Sequence, residues 1–234
     1  MKQTFLRLQT FAMFFLTGAV TVDLASAQVF WTGANSGTDI NWSDGANWSN
    51  TGNPGNLPGS SDDVIFNNTD AAAQGTVNGI VDTSFGGTIS TLQFTNIGSY
   101  HTIQIADGQT LNITGGGLTV GSTSVDFGST VATVSAAFTG ANGTLSLNNG
   151  SSGILYIGLG TGNGSRGQLD LSGLGNFNAT VNHIELGTAG EKRAAGTLYL
   201  AMTNMLVATY ASTYDSSGTG RNNVAIDIGD QNST

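Results

Sequence analysis

The chain has 234 residues with 35 glycines and 2 prolines, and only 9% of its residues are charged. Glycine weakens helices, and Glu, Lys and Arg are scarce, so this composition favours an all-β protein over a helical one. With a net charge of −9 and no Lys or Arg between Val29 and Ser165, the chain lacks the clustered cations that nucleic acids and anionic membranes require.

Residues 1–27 have the layout of a secretory signal peptide. Lys2 and Arg7 give a positive start, the run Phe11–Val20 is apolar, and the last three residues, Ala-Ser-Ala, form an A-x-A cleavage pattern. The apolar run is about half of the roughly 20 residues that a membrane span needs. We therefore predict cleavage after Ala27, and a mature chain without a membrane span that is secreted or displayed at the cell surface.

The segment 28–66 contains all three tryptophans, Trp31, Trp42 and Trp48, and both prolines of the chain. A protein of stacked strands needs its ends covered, and Trp buries a large area while keeping one N–H for a partner. We therefore predict that the three rings cap the N-terminal end of the fold. The alternative is a carbohydrate-binding site, in which the rings stack on sugar faces and Asn47 supplies hydrogen bonds.

Acidic residues in the same segment raise the alternative of a calcium site. Asp62 and Asp63 are adjacent, and Asp44 follows Trp42 closely. Carboxylate oxygens are ligands for Ca²⁺, so these three residues are the candidate metal ligands. The glycine-rich spacing of calcium-binding nonapeptides is absent, and we expect Asp62 to serve a turn and Asp63 to begin a strand.

The residue types that most enzymes use are rare in this chain. It has no cysteine and two histidines, His101 and His183, which are far apart and are expected on the surface or in turns. Cysteine-type zinc sites are excluded, and two distant histidines make a Ser-His-Asp triad unfavourable. The Asp62-Asp63 pair has no nearby cation in sequence and no acidic cluster around it. We therefore predict no catalytic residues.

The segment 67–234 reads as short strands separated by glycine, asparagine or aspartate. Polar and apolar residues alternate in runs rich in Thr, Leu, Ile and Val, for example in Thr88–Phe94 and Thr102–Ile105. No window has a sustained helical period, and the nearest candidate for a short helix is Leu200–Tyr210.

An internal repeat is present in the second half of the chain. Each cell reads aliphatic-Gly, a polar loop, then Gly-x-Leu-x-Leu. One cell runs from Ile157-Gly158 to Leu171, and the next, 29 residues later, from Leu186-Gly187 to Leu200. A further cell opens at Ile228-Gly229, and Gly143–Leu147 looks like the second half of an earlier cell.

Such repeats cannot bury their apolar faces alone, but stacked copies can. They predict a parallel β-helix, or solenoid, with roughly three short strands per coil. A β-sandwich is the alternative fold, because it also consists of short spaced strands. The β-helix predicts one continuous core lined by six leucines: Leu145, Leu147, Leu169, Leu171, Leu198 and Leu200.

The last repeat lacks its Gly-x-Leu-x-Leu half, so the β-helix is expected to be incomplete at its C-terminal end. An uncovered end exposes unpaired backbone groups and core leucines, which favours edge-to-edge pairing. We therefore expect a fragment of a longer protein, or a chain that covers this end with a partner or by self-association.

The N-terminal motifs resemble those of a known class of bacterial surface proteins. The chain reads W-T-G from Trp31, N-W-S-x-x-x-N-W from Asn41 and P-G-S-x-D-x-V-x-F from Pro58. This pattern resembles the opening of proteins built from autotransporter-associated β-strand repeats, and of some secreted proteins of the PEP-CTERM sorting type. The stretch Thr88–Gly121 is similar to the repeats themselves. The resemblance implies a passenger-like surface β-helix acting as an adhesin or matrix component.

We therefore predict a secreted or surface-displayed structural β-helix without catalytic activity. The alternative function is a carbohydrate-binding or polysaccharide-degrading module on the same fold. The expected partners are extracellular polysaccharides or cell-surface components, and no cofactor is expected unless the three aspartates hold Ca²⁺.

Overall fold

The computed structural model describes residues 27–50, 57–121, 133–160, 166–187, 195–210 and 225–228. These residues form β-strands and one short 3-10 helix, so the prediction of an all-β protein is confirmed. The strands are β1 (Gln28–Trp31), β2 (Trp48–Asn50), β3 (Asp63–Phe66), β4 (Val77–Val81), β5 (Thr88–Phe94), β6 (Tyr100–Ile105), β7 (Thr110–Gly121), β8 (Thr133–Leu159), β9 (Arg166–Leu186), β10 (Ala195–Tyr199), β11 (Thr203–Ala208) and β12 (Ile226–Ile228), and the 3-10 helix is Gly45–Asn47.

The predicted signal peptide lies outside the described residues apart from Ala27. The carbonyl oxygen of Ala27 accepts a hydrogen bond of 2.9 Å from the backbone N–H of Asp63, at the point where β1 and β3 begin. Ala27 thus lies beside the start of β3. In the described part of the chain, no helix is long and apolar enough to cross a membrane.

Parallel pairing dominates the sheet. Every pair of named strands is parallel except β1 and β2, which are antiparallel. Each strand pairs with one that lies roughly one repeat later, so that Leu92 pairs with Leu118, Leu118 with Leu155, and Leu155 with Ile184. A β-sandwich consists of antiparallel sheets, and these pairings do not form them.

The long strands β8 and β9 meet their neighbours in three sections separated by register shifts. The first section of β8 pairs with β6, and the second and third sections pair with the two halves of β7. β9 repeats the same three sections against β8, and β10, β11 and β12 each pair with one section of β9. The chain therefore makes the same set of three pairings in successive layers.

One hydrophobic cluster receives side chains from all three sections. The buried partners across β8 and β9 are, section by section, Ala136 and Leu169, Leu145 and Phe177, and Leu155 and Ile184. Residues two apart on a strand point to the same face, which explains why alternate residues of each section reach this cluster. Burial of each large side chain contributes roughly 1.5–3 kcal/mol, and this is the main stabilising contribution in a chain without disulfides.

Glycines occupy the register shifts between sections. Gly117 has φ +105° at the shift between Ile113 and Gly117, and Gly140 has φ +121° at the shift before Thr144. Residues with a Cβ rarely adopt such backbone angles. A Cβ at Gly117 would also overlap with the carbonyl oxygen of Ile154 in the next layer. At these shifts a glycine thus allows both the backbone angle and the close approach of a neighbouring strand.

Five of the six leucines predicted to line the core contact it. Leu145, Leu147, Leu169 and Leu171 are buried, and Leu198 is partly buried against the same cluster. The prediction for Leu200 is wrong, because its side chain is 46% exposed. β10 ends at Tyr199, so Leu200 lies beyond the last paired residue.

The structure decides one open point and corrects one prediction in this region. The segment Leu200–Tyr210, the nearest candidate for a helix, contains the strand β11, because Asn176–Val181 of β9 offers it a parallel partner. The segment Gly143–Leu147 is not equivalent to the Gly-x-Leu-x-Leu halves. Leu145 pairs with Phe177, whereas Leu169 pairs with Ala136 and Leu198. The other repeats are in the predicted register, since Gly196 pairs with Gly167 and Ile157 with Leu186.

Candidate functional site

The three tryptophans form a buried aromatic cluster rather than a surface platform. Trp31, Trp42 and Trp48 are all buried, and the ring of Trp48 meets the other two edge-on at centroid distances of 4.9 and 5.1 Å. Phe66 stacks on Trp31 at 5.6 Å and on Trp42 at 5.7 Å. Because the protein covers these rings, none of them presents a face on which a sugar could stack. The arrangement does not support the carbohydrate-binding alternative.

Two of the indole N–H groups hold the cluster to neighbouring chain segments. Trp31 Nε1 donates to Asp70 Oδ2 at 2.9 Å, and Trp48 Nε1 donates to the carbonyl oxygen of Trp42 at 2.8 Å. Trp42 Nε1 is buried without a hydrogen-bond partner among the described residues. Gly79 lies against this nitrogen, since a Cβ at Gly79 would be 3.1 Å from it. Trp31 is thus tied to the turn at Asp70, and Trp48 is tied to Trp42 within the predicted capping segment.

Asn47 is fully buried and serves the backbone around the 3-10 helix. Its Nδ2 donates to the carbonyl oxygens of Asp39 at 2.9 Å and Asn41 at 3.3 Å. Its Oδ1 accepts a hydrogen bond of 3.0 Å from the backbone N–H of Asn35. With these groups satisfied inside the loop 32–47, Asn47 has a structural role, and the structure does not place it at a ligand-binding surface.

The three candidate calcium ligands each make a different local contact. Asp44 caps the 3-10 helix through Ala46 N and accepts from Asn35 Nδ2 at 2.6 Å. Asp62 accepts from Gly59 N at 2.8 Å, in the turn that the sequence predicts, and Asp63 accepts from Thr91 Oγ1 at 2.7 Å at the start of β3. Among the described residues, no three acidic or histidine side chains cluster as metal ligands.

The pKa of the Asp44 carboxyl is lowered. Its hydrogen bond from the Asn35 side chain, helped by the one from the Ala46 backbone, lowers the pKa of the carboxyl below its ordinary value. Because these donors stabilise the ionised form, Asp44 stays an acceptor to lower pH than a free aspartate. The carboxylate is therefore well suited to its capping role.

A buried polar network surrounds His101, and the sequence pattern does not predict it. This histidine is fully buried, which contradicts the expectation of a surface or turn position. Its Nε2 lies 2.6 Å from the carbonyl oxygen of Asn67, and its Nδ1 lies 2.9 Å from Asn78 Nδ2. A carbonyl oxygen can only accept, so Nε2 carries the proton and Nδ1 accepts from Asn78. The sequence did hold a signal, because His101 is in phase with the inward-facing Ile103 and Ile105.

The same network fixes the orientation of Asn78. Its Nδ2 also donates to the carbonyl oxygen of Asp70 at 2.5 Å, and its Oδ1 accepts from the backbone N–H of Thr102 at 2.9 Å. Asn78 lies where the β4–β6 register shifts, which lets its side chain reach across to β6. Turning the amide to accept from a protonated His101 would break both bonds. The hydrogen bonds of Asn78 therefore favour the neutral form of the His101 imidazole.

The buried state of His101 predicts acid sensitivity. Burial lowers the pKa of His101 below its ordinary value, against smaller opposing effects of the Asn67 carbonyl and the Asp70 carboxylate. The unfolded chain therefore binds this proton more readily than the folded chain. The contribution of neutral His101 to the free energy of unfolding is fully present above about pH 6.5. It is lost as the pH falls below that value, by up to about 1.4 kcal/mol per pH unit.

Denaturant unfolding of the wild type and of His101→Gln between pH 7.5 and 5 measures this effect. The variant should lose the His101 contribution to the pH slope, because glutamine can contact the same partners without titrating in this range. His183→Gln is the matched control, since His183 is part-exposed and contacts Glu185 at 2.6 Å on the surface. Equal slopes for His101→Gln and the wild type would contradict the assignment.

An uncovered strand edge is the candidate interaction site of the molecule. We define the terminal edge as β10, β11 and β12, each of which pairs with β9 on one side and with no other described strand. Large apolar side chains are exposed on and beside it: Tyr199, Leu200, Met202, Met205, Leu206, Val207, Ile226 and Ile228. Ile228, the most exposed of them at 70%, pairs with Leu186 at the end of the core. The incomplete repeat predicts an open C-terminal end, and this stays a prediction.

Comparison of the chain with models of known protein families, with curated proteins and with solved structures finds no match in any of the three.

Proposed function

We propose that the chain is a secreted or surface-displayed parallel β-helix of the autotransporter-passenger type, with a structural or adhesive role and no catalytic activity. The observation that carries the β-helix is the repetition of the same three parallel pairings in β8, in β9 and in β10 to β12. Stacked coils of three short strands would produce these pairings. The positive-φ glycines at the register shifts support corners between the strands of each coil.

The assignments of the polar side chains support a structural role. His101, Asn47, Asp44 and Asp62 are each bonded to backbone groups that fix a loop, turn or strand. A catalytic acid or base needs to reach a substrate proton, and the buried His101, whose ring is already bonded to the backbone, does not. The contacts of these side chains therefore explain their presence without a reaction.

The outer face of the strands supports an adhesive role. Thr88, Asn112, Ser146 and Asn178 pair in register across β5, β7, β8 and β9, in positions between the buried residues. Such a column presents small polar groups at the interstrand spacing of about 4.8 Å. A regular polar face of this kind can make many weak hydrogen bonds to an extracellular surface or polymer.

Export can be tested by expressing the whole chain in a Gram-negative bacterium. We expect the extracellular or surface fraction to contain a protein whose N-terminal residue is Gln28, as read by mass spectrometry. Phe15→Asp places a charge in the apolar run and should prevent export, whereas Phe15→Leu keeps the run apolar and should not. A chain that stays in the cytoplasm with Met1 at its N-terminus would contradict the proposal.

The same strains test the adhesive role. Cells that export the wild-type chain should bind to surfaces or to one another more strongly than cells that carry Phe15→Asp. Cells with Phe15→Leu should behave like the wild type. If the exported chain leaves adhesion unchanged and depolymerises a polysaccharide, the structural assignment is wrong and an enzymatic one replaces it.

A further inference from the structure

The outer face changes character at the terminal edge. Asn112, Ser146 and Asn178 form one polar column on this face, and the residue that continues it on β11 is Met205. The neighbouring column is also polar, with Asn148 and Thr180, and Val207 continues it on β11. Met205 is 51% and Val207 is 42% exposed. In these two columns, β11 thus carries apolar side chains where β8 and β9 carry polar ones.

Two of the three strands of the terminal edge, β10 and β11, are also free of charge, whereas β12 contains Asp227. The sequence from Ala195 to Tyr210, which contains β10 and β11, has no Asp, Glu, Lys or Arg. Natural edge strands are usually protected from pairing by charges, prolines or bulges, and these two strands contain neither a charge nor a proline. A chain with a net charge of −9 repels its own copies over most of its surface. The uncharged part of this edge, β10 and β11, is the region through which two copies can approach.

The opposite end of the sheet is closed. β2, at that end, is only three residues long and runs antiparallel to β1. The backbone of residues 40–42 covers β4, since Trp42 N donates to the carbonyl oxygen of Ile80 and Ile80 N donates to that of Ile40, both at 2.8 Å. Trp42 and Trp48 are buried beneath these segments. Among the described residues, the N-terminal end therefore offers no long free strand as a partner for the terminal edge.

We propose that the terminal edge binds a second copy of the chain, tail to tail, with β11 of one copy antiparallel to β11 of the other. A symmetric pair brings the same patch of both molecules together, and an apolar, uncharged patch is complementary to itself. Two identical edges related by a two-fold axis run in opposite directions, and antiparallel pairing satisfies the free N–H and C=O groups of both. Because the N-terminal end is closed, association stops at the dimer.

This inference rests on strand register, exposure and charge, and not on export. The dimer can therefore fail while the proposed function stands, and the reverse also holds. The terminal edge could instead be covered by another segment of the same chain, such as residues 211–224, and that occupant predicts a strict monomer.

Sedimentation velocity over a concentration series, on the whole chain as the cell produces it, tests the proposal. The expected result is a shift from monomer to dimer with rising concentration, and no larger species. Met205→Asp combined with Val207→Asp places like charges on both sides of the contact and should raise the dissociation constant at least about tenfold. A wild type that remains monomeric at every concentration, or that forms open-ended chains, would overturn the proposal.

A matched control uses the same charges one layer further in. Asn178→Asp combined with Thr180→Asp occupies the same two outer-face columns on β9, which β11 separates from the second copy. This variant should dimerise like the wild type to within about threefold. If it weakens association as much as the β11 variant does, the contact is lateral and the tail-to-tail arrangement is wrong.

A second variant shows whether weaker dimerisation of the aspartate variant comes from the lost contact or from unfolding. Met205→Asn combined with Val207→Thr gives β11 the residue types that Asn178 and Thr180 place in the same columns. It should keep the circular dichroism spectrum of the wild type and still weaken dimerisation. Amide hydrogen exchange gives an independent result, because the amides of residues 203–208 should gain protection as the dimer forms. A folded variant that dimerises as tightly as the wild type, or β11 amides that exchange equally fast in monomer and dimer, would overturn the proposal.

Discussion

Replacing Phe66 by alanine is expected to lower the free energy of unfolding by about 4 kcal/mol. Phe66 is fully buried and contacts five other aromatic rings, those of Trp31, Trp42, Trp48, Phe94 and His101. Removing its ring leaves a cavity that these rigid neighbours can fill only in part. Small domains have a total stability of roughly 5–15 kcal/mol, so the change removes a large share of it.

Denaturant unfolding followed by near-ultraviolet circular dichroism measures this loss, because the method reports on tryptophan packing. Phe66→Leu keeps most of the volume and should cost less than about 1.5 kcal/mol. Ile97→Ala removes a side chain that is 39% exposed and should change the stability by less than about 0.5 kcal/mol. If Phe66→Ala were no worse than Ile97→Ala, the aromatic cluster would not be the core of the N-terminal end.

Replacing Gly117 by alanine is expected to destabilise the fold by about 3 kcal/mol or more. The backbone angle of φ +105° is strained for any residue with a Cβ. The new methyl group would also overlap with the backbone of Ile154, which cannot move without breaking the parallel pairing of β7 with β8. Thermal and denaturant unfolding both report this change.

Gly86→Ala is the matched control for this substitution. A Cβ at Gly86 would have no neighbour within 4 Å, and the residue does not have a positive φ. The control should change the stability by less than about 1 kcal/mol in either direction. If the two variants were equally stable, the close approach of successive layers at Gly117 would be incorrect.

The sequence predicts the pattern of strands well because burial alternates along them. The inward positions of Leu145, Leu147, Leu169 and Leu171 follow from a period of two, which requires no knowledge of the partner strand. The partner is harder to predict. Gly143–Leu147 and Gly167–Leu171 have similar sequences but belong to different sections of the layers, and only the register of β8 against β9 separates them.

The polar residues were harder to interpret because their roles depend on distant contacts. Asn78 and His101 are 23 residues apart, and neither residue alone indicates that they share a buried hydrogen bond. The tryptophans were ambiguous for the same reason, since an aromatic ring can cap a core or bind a sugar. The position of Phe66 between them decides in favour of the core. Leu200 was misassigned because the repeat does not reveal where β10 ends.

The distance between Gln168 and Glu185 is the most direct test of the β-helix. The chain has no cysteine, so a spin label attached to a cysteine at each of these two positions is unique. Pulsed electron paramagnetic resonance should give a distance below roughly 30 Å, because in the proposed β-helix the two residues would lie on different sides of one coil whose sides are each about 20 Å long. A distance near the roughly 56 Å of a straight strand of this length would contradict the β-helix.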